Sequence, residues 1–331
     1  MILNSIKPRI LYFGRTKGIH DQKFVAELQN HYQLDETYLD EEKIRTKAEY
    51  DFYDAIVAGP LTDVISAISR DSVTPLIGIS HGFDLNLEKD DQLLEKNINQ
   101  CTSIIVDCKL GENILKSTYN YKKNIYRMPF GCDYELFSKN NINFQNIPNI
   151  LVTRNWYQNY RNDLIVDAIF SLLKSGIEIQ ITFIGDGPLL DQVLKNHDLE
   201  AMKSNFKFLG RMPLNSIKAE MTKNWIYVSA SETDGTSVSM LEALSAGMIC
   251  IVSDFPSNKE WINHGVNGFL FKNQNCEDLI EKILTVASLS ISQKMRIGLE
   301  AQSTVQINGN WKFNRTVLKK AIEESISRKK Q

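Results

Sequence analysis

The chain has 331 residues, 43% hydrophobic and 24% charged, an ordinary globular composition that excludes a disordered, collagen-like or coiled-coil protein. Lysine plus arginine number 38 against 40 aspartates plus glutamates, a net charge of -2, so the global basic field of a nucleic-acid binder is missing and no nucleic-acid partner is expected. A single core rarely grows past about 250–300 residues, which makes two domains the working count.

At the amino terminus, MILNSIKPRILYFG breaks its apolar character at Lys7, Pro8 and Arg9 and reads as a first strand rather than a signal peptide. Short β-rich runs then alternate with longer stretches of helical period: 9–13, 55–58, 76–79, 103–106 and 124–128 read as buried parallel strands of a doubly wound α/β domain. A polar, Asn-rich stretch at 138–149 interrupts the pattern and marks a linker. The alternation restarts with strands at 150–153, 179–184, 206–209, 225–229 and 249–253. The expected division is 1–143, 144–310 and a terminal amphipathic basic helix at 311–331, rich in cations from Lys312 to Lys330.

Nothing approaches the ~18–20 apolar residues of a spanning helix, so an integral membrane protein is not expected, and peripheral membrane contact stays open. The five cysteines, Cys101, Cys108, Cys132, Cys250 and Cys276, are odd in number and never paired as C-x-x-C. They read as structural thiols of a cytoplasmic protein, without a disulfide framework or a zinc site. Two Rossmann-like halves remain, with ligands expected outside the carboxyl ends of the strands, in the cleft between the halves.

The most informative stretch is 229–253, SASETDGTSVSMLEALSAGMICIVS: a strand ends, a polar turn follows, a helix starts near Thr236, and a further strand closes the unit. A helix amino terminus preceded by Gly235 offers free N–H groups and a positive dipole end to a phosphate. Asp234 lies just before the helix and Glu242 more than a turn inside it, so both can face one ligand, Glu242 accepting from the hydroxyls of a ribose. The plainer alternative makes Asp234 an N-cap and Glu242 a solvated helix residue. Gly185, Asp186 and Gly187 form a strand–helix turn and lack the third glycine of a dinucleotide fingerprint.

In order and spacing these segments resemble the retaining, nucleotide-sugar-dependent glycosyltransferases of family 4. DGTSVSMLEALSAG resembles that family's signature of two acids separated by seven residues. SDFPSNKEWINHGVNGFLF, FIGDGPLLDQVLK, KFLGRMPLNSIKAEM and VTRNWYQNYRNDLIVDAI resemble its donor-binding half, and GISHGFDL and IYRMPFGCDYELF its amino-terminal half. The resemblance implies the GT-B fold, two Rossmann-like doubly wound domains facing across a cleft. It also implies a nucleoside-diphosphate sugar as co-substrate, with no other cofactor, and a glycan or lipid-linked acceptor for cell-surface polysaccharide or glycoconjugate synthesis.

By the matched positions, Glu242 binds the ribose, while Gly235, Thr236, Ser237 and Val238 hold phosphate and sugar. Asp234 contacts the donor sugar, Arg154 pairs with the pyrophosphate, and His81, after the strand at 76–79, approaches the donor. The plainer alternative for His81 is a strand-end histidine satisfied by backbone groups. Gly185, Tyr160, Arg161 and Arg211 complete the implied donor site, and His20 is weighed evenly between site and structure. His31, His197 and His264 are read as surface or structural, and with no histidine ligand spacing and no Asp-x-Asp after a strand, metal independence is expected.

Three departures stand out. Asp234 replaces the family's glutamate, Glu232 being at the wrong spacing. Asn159, Tyr160 and Arg161 stand where the family usually has a lysine, with Arg161 as a candidate second cation. The turn FGRTKGIHD is poor in glycine, with Arg15 and Lys17 as partial substitutes. A non-catalytic nucleotide-sugar-binding or scaffolding protein is the alternative reading.

Overall fold

The computed structural model describes residues 7–41, 46–68, 72–85, 91–138, 142–196 and 202–329. They divide into two compact units, residues 1–130 with 312–331, and residues 131–311.

The sheet of the first unit comprises β1 (Arg9–Gly14), β2 (Gln33–Tyr38), β3 (Ala55–Ala58), β4 (Leu76–Ile79), β5 (Ser103–Val106) and β6 (Asn124–Arg127). All pairings are parallel, in the order β2-β1-β3-β4-β5-β6. The central strands β3, β4 and β5 are buried at every position, because helices cover both faces of a parallel sheet and demand continuous apolar runs. β2, QLDETY, is an edge strand paired only with β1, and its polar half-exposed residues hide it from a hydrophobic pattern. β6 is the opposite edge and is half-buried rather than buried as expected.

The helix Thr316–Lys329 lies against β3, β4 and β5, burying Leu318, Ala321, Ile322, Ser325 and Ile326. The Ser325 and Ser103 hydroxyls meet at 3.1 Å, and Tyr126 donates to Glu324 at 2.7 Å. The apolar face of this basic helix is therefore spent on its own sheet. Arg315, just before the helix, pairs with Glu27 at 2.8 Å, and Lys330 lies outside the described residues.

The second sheet comprises β7 (Asn149–Val152), β8 (Gln180–Phe183), β9 (Phe206–Phe208), β10 (Ile226–Ser229), β11 (Ile249–Ser253) and β12 (Phe269–Phe271). Its order is β12-β11-β10-β7-β8-β9, again all parallel. This is the doubly wound dinucleotide-domain order, and its direction of winding reverses between β7 and β10. The ten expected strands lie within one residue of their expected ends; β12, a three-residue edge, joins β2 as unanticipated.

The division at Phe130 falls earlier than the expected break after 143. The helix Tyr134–Phe137 is the reason: Cys132 and Phe137 are fully buried in a core shared with Leu241, Ala301 and Val305, and Phe144 packs edge-on against Trp225. The Asn-rich stretch, of which 139–141 lie outside the described residues, thus follows secondary structure that already belongs to the second unit. All five cysteines are free, and burial pushes the Cys101 thiol up to about 12, as expected of structural thiols. Among the described residues no helix is long and apolar enough to cross a membrane.

Candidate functional site

At the switch point of the second unit, the loops after β7 and β10 deliver Arg154 and Asp234. Arg154 is only 9% exposed, and its guanidinium is gripped on two edges. One terminal nitrogen donates to the hydroxyls of Ser237 at 3.0 Å and Ser239 at 3.2 Å, and the other to the Asp234 carboxylate. The ring of Tyr160 covers its face, 4.0 Å from Cζ to the ring centre. Burial alone would weaken its hold on the proton, but Asp234 and then Tyr160 and Tyr227 outweigh it, so the group stays firmly cationic. Its Nε is buried without a hydrogen-bond partner.

Two glycines fix the course of the Arg154 loop. Gly185 and Gly187 adopt φ of +130° and +152°; a Cβ on the first would lie 2.9 Å from the Arg154 carbonyl, and on the second 2.6 Å from the Trp156 carbonyl. The Trp156 amide donates to the Asp186 carbonyl at 2.9 Å, so the two loops are stitched together. The GDG turn thus serves close backbone approach, in keeping with a strand–helix turn.

The helix Val238–Ala246 begins two residues later than expected. Its N-cap is Ser237, which accepts from the Met240 amide, so Asp234 is not the cap. Asp234 instead accepts from the Gly235 amide at 3.0 Å while pairing with Arg154. Thr236 and Ser237 are buried. Val238, Ser239 and Glu242 are the half-buried positions between buried Met240, Leu241, Ala243 and Leu244, and their spacing of three and four residues puts them on one helix face.

Ser239 and Tyr227 were not foreseen. The Tyr227 hydroxyl donates to Ser239 at 3.0 Å, extending the network beneath Arg154. The Ser-x-Ser spacing in the first helical turn is the only trace of this in the sequence.

Other expected residues are engaged elsewhere. Arg161, in the left-handed conformation (φ 47°, ψ 44°), pairs with Asp163 at 3.1 Å and Glu232 at 2.5 Å. Such a conformation costs a non-glycine residue roughly 1–2 kcal/mol, which these two carboxylates help to offset. Arg211 is exposed and paired with Asp186 at 2.7 Å.

In the first unit, Asp84 organises the loop after β4: it accepts from the Ser80 hydroxyl at 2.6 Å and from the amides of Leu61 and His81. The His81 ring packs edge-on against Phe130, Phe83 and His20, at 5.6, 6.3 and 6.3 Å. Its Nε2 is buried without a hydrogen-bond partner, so no backbone group satisfies that nitrogen. Burial pushes its pKa below the ordinary histidine value against the opposing pull of Asp84 and Asp21. Arg15 and Lys17 are paired with Asp63 and Glu36. His31 pairs with Glu27, and His264 accepts from the Leu270 amide and packs on Phe269, both as expected. His197 lies outside the described residues. Among the described residues no three His, Cys, Asp or Glu side chains gather to hold a metal.

Residues 136–303 match the family described as Glycosyl transferases group 1. The chain is 25% identical over 173 residues to the UDP-N-acetylglucosamine–peptide N-acetylglucosaminyltransferase GtfA subunit of Streptococcus pneumoniae, covering 50% of this chain and 33% of that one. It is 26% identical over 126 residues to the UDP-Gal:alpha-D-GlcNAc-diphosphoundecaprenol alpha-1,3-galactosyltransferase of Escherichia coli, covering 38% of this chain and 29% of that one. These alignments span about a third of each curated relative. Anabaena Alr3699/HepE, solved with UDP and glucose, superposes with a TM-score of 0.77 at 12% identity over 96% of this chain and 100% of that one, which establishes a shared GT-B fold. Since the matched segment is half of the chain and contains the whole Arg154–Asp234–Glu242 constellation, the chain belongs to the glycosyl transferases group 1 family.

Proposed function

We propose that the protein is a retaining, metal-independent glycosyltransferase of family 4 that moves a sugar from a nucleoside diphosphate to a glycan or lipid-linked acceptor, in cell-surface polysaccharide or glycoconjugate synthesis. The observation that carries this reading is the buried Arg154 at the switch point, aimed by Ser237, Ser239 and Asp234 beside the amino terminus of the helix bearing Glu242. The two curated relatives, UDP-sugar transferases named for a peptide and a diphosphoundecaprenol acceptor, support a nucleotide-sugar donor.

In this reading the leaving diphosphate gains charge as the glycosidic bond breaks. A guanidinium already oriented in a site of low dielectric stabilises that charge more in the transition state than in the ground state. The diphosphate competes with Asp234 for Arg154, and a released Asp234 is free to accept from a hydroxyl of the donor sugar. Glu242 takes the ribose hydroxyls. The donor's own phosphate oxygen receives the acceptor proton, the sugar passes through an oxocarbenium-like state, and no protein nucleophile is needed. His81, neutral at physiological pH and with Nε2 unengaged, serves as a hydrogen-bonding group toward the donor. The exposed lysines of Thr316–Lys329 are the groups that would meet an anionic membrane surface.

Melting shifts with UDP, GDP, ADP and their sugars, with and without EDTA, test the donor site. Saturation about a hundredfold over Kd stabilises by about 2.7 kcal/mol. A selective shift that survives EDTA and is lost in Arg154→Ala is expected, followed by transfer with retained anomeric configuration by NMR. Binding without any turnover would instead make the protein a non-catalytic nucleotide-sugar binder, and no shift with any nucleotide would overturn the donor site itself.

A further inference from the structure

The second unit has another guanidinium–carboxylate cluster: Arg161, which the family resemblance implies for the donor site, is held instead by Asp163 and Glu232. Glu232 and Asp234, two residues apart after β10, turn to different arginines: Asp234 to Arg154, Glu232 to Arg161. Arg161, Glu232 and Asp163 line an open pocket of about 510 Å³ together with Gln158 and with Gln192 and Asn196 of the helix Leu190–Asn196. That volume lies inside the range of small-molecule sites, about 300–1,000 Å³.

The chemistry of the wall selects its occupant. One arginine against two carboxylates gives the pocket lining a net charge of -1, and both carboxylates already engage the guanidinium, so the wall offers a phosphate no surplus cation. Three exposed carboxamides, Gln158, Gln192 and Asn196, each offer both N–H donors and a carbonyl acceptor. Leu189 and Val193 supply a small apolar floor. Dense paired donors and acceptors over an apolar patch, without net positive charge, match the hydroxyls and C–H face of an uncharged sugar ring.

We propose that this pocket is a second, nucleotide-independent glycan-binding site for a neutral oligosaccharide. It stands whether or not the chain transfers sugar, because it requires neither Arg154 nor a bound nucleotide.

The test uses the full chain and saturation-transfer NMR with di- to tetrasaccharides of glucose, galactose and N-acetylglucosamine. At least one is expected to bind with a Kd below about 1 mM, undisplaced by saturating UDP and unaffected by Arg154→Ala. The double variant Gln192→Ala/Asn196→Ala, checked for an unchanged melting temperature, is expected to weaken it at least about tenfold, as is Gln158→Ala alone if the double variant fails to fold. Failure of the whole panel to bind, displacement by UDP, full affinity in the folded variants, or preference for inorganic phosphate over every oligosaccharide would each overturn the proposal. A loss of nucleotide binding with glycan binding intact would sink the donor reading and leave this one standing.

Discussion

The ion pair between Arg154 and Asp234 is buried enough that neither partner is easily orphaned, their side chains being 10% and 20% exposed. Removing one partner of a fully buried pair costs about 3–5 kcal/mol, and residual exposure discounts that here. A double-mutant cycle of Arg154→Met and Asp234→Asn is expected to give a coupling of about 2 kcal/mol in urea melts; a coupling below about 0.5 kcal/mol would mean that the pair behaves like a surface contact. His81 makes a separate prediction about pH. Its folded pKa is depressed below the unfolded 6.5, so below pH 6.5 the unfolded chain binds the extra proton, and the stability present above that value is lost as pH falls toward the folded pKa. The slope attributable to His81 is at most about 1.4 kcal/mol per pH unit. His81→Phe should flatten the decline below pH 6.5 by no more than that slope, and an unchanged profile would exclude His81 as its source.

Among the elements, the turn after β8 controls the arginine without touching its side chain. Gly187→Ala must move the Trp156 backbone, because its Cβ would sit 2.6 Å from a carbonyl oxygen at a φ that L-residues rarely adopt. A loss of about 2–4 kcal/mol is expected by chemical denaturation, with weaker nucleotide binding because Arg154 shares that loop. Gly176→Ala is the control: it also has positive φ, but nothing lies within 4 Å of its Cβ, so only the conformational cost of roughly 1 kcal/mol remains. Equal losses at the two positions would show that close backbone approach is not what Gly187 provides.

For the molecule as a whole, the carboxyl-terminal segment is a structural part of the first unit. Leu318, Ile322 and Ile326 are each at most 9% exposed, and burying a large aliphatic side chain is worth about 1.5–3 kcal/mol. Their sum is comparable to the entire stability of a typical domain. A chain ending at Trp311 should therefore lose the first unit's protection from hydrogen exchange and proteolysis while the second keeps its own. Continued protection of β3 to β5 would show that the helix is an accessory.

The sequence by itself determined the α/β class, the central strands and the segment at 229–253. Strands buried on both faces must be continuously apolar, and a helix start after a strand must carry polar, small residues. It could not display β2 or β12, because an edge strand has one neighbour and answers to solvent, nor the unit boundary, because Cys132 and Phe137 reveal their allegiance only through distant residues they pack against. Arg154, Asp234 and Ser237 were legible as a group from the family's motif, but the identity of each arginine's partner was not. Tertiary structure decided that Asp234 serves Arg154, that Glu232 serves Arg161, and that Ser239 and Tyr227 lie beneath the site. The physical reason is that charge pairing depends on where two loops some 70 to 80 residues apart in sequence are brought together at the reversal of the sheet, a placement that local propensity does not encode.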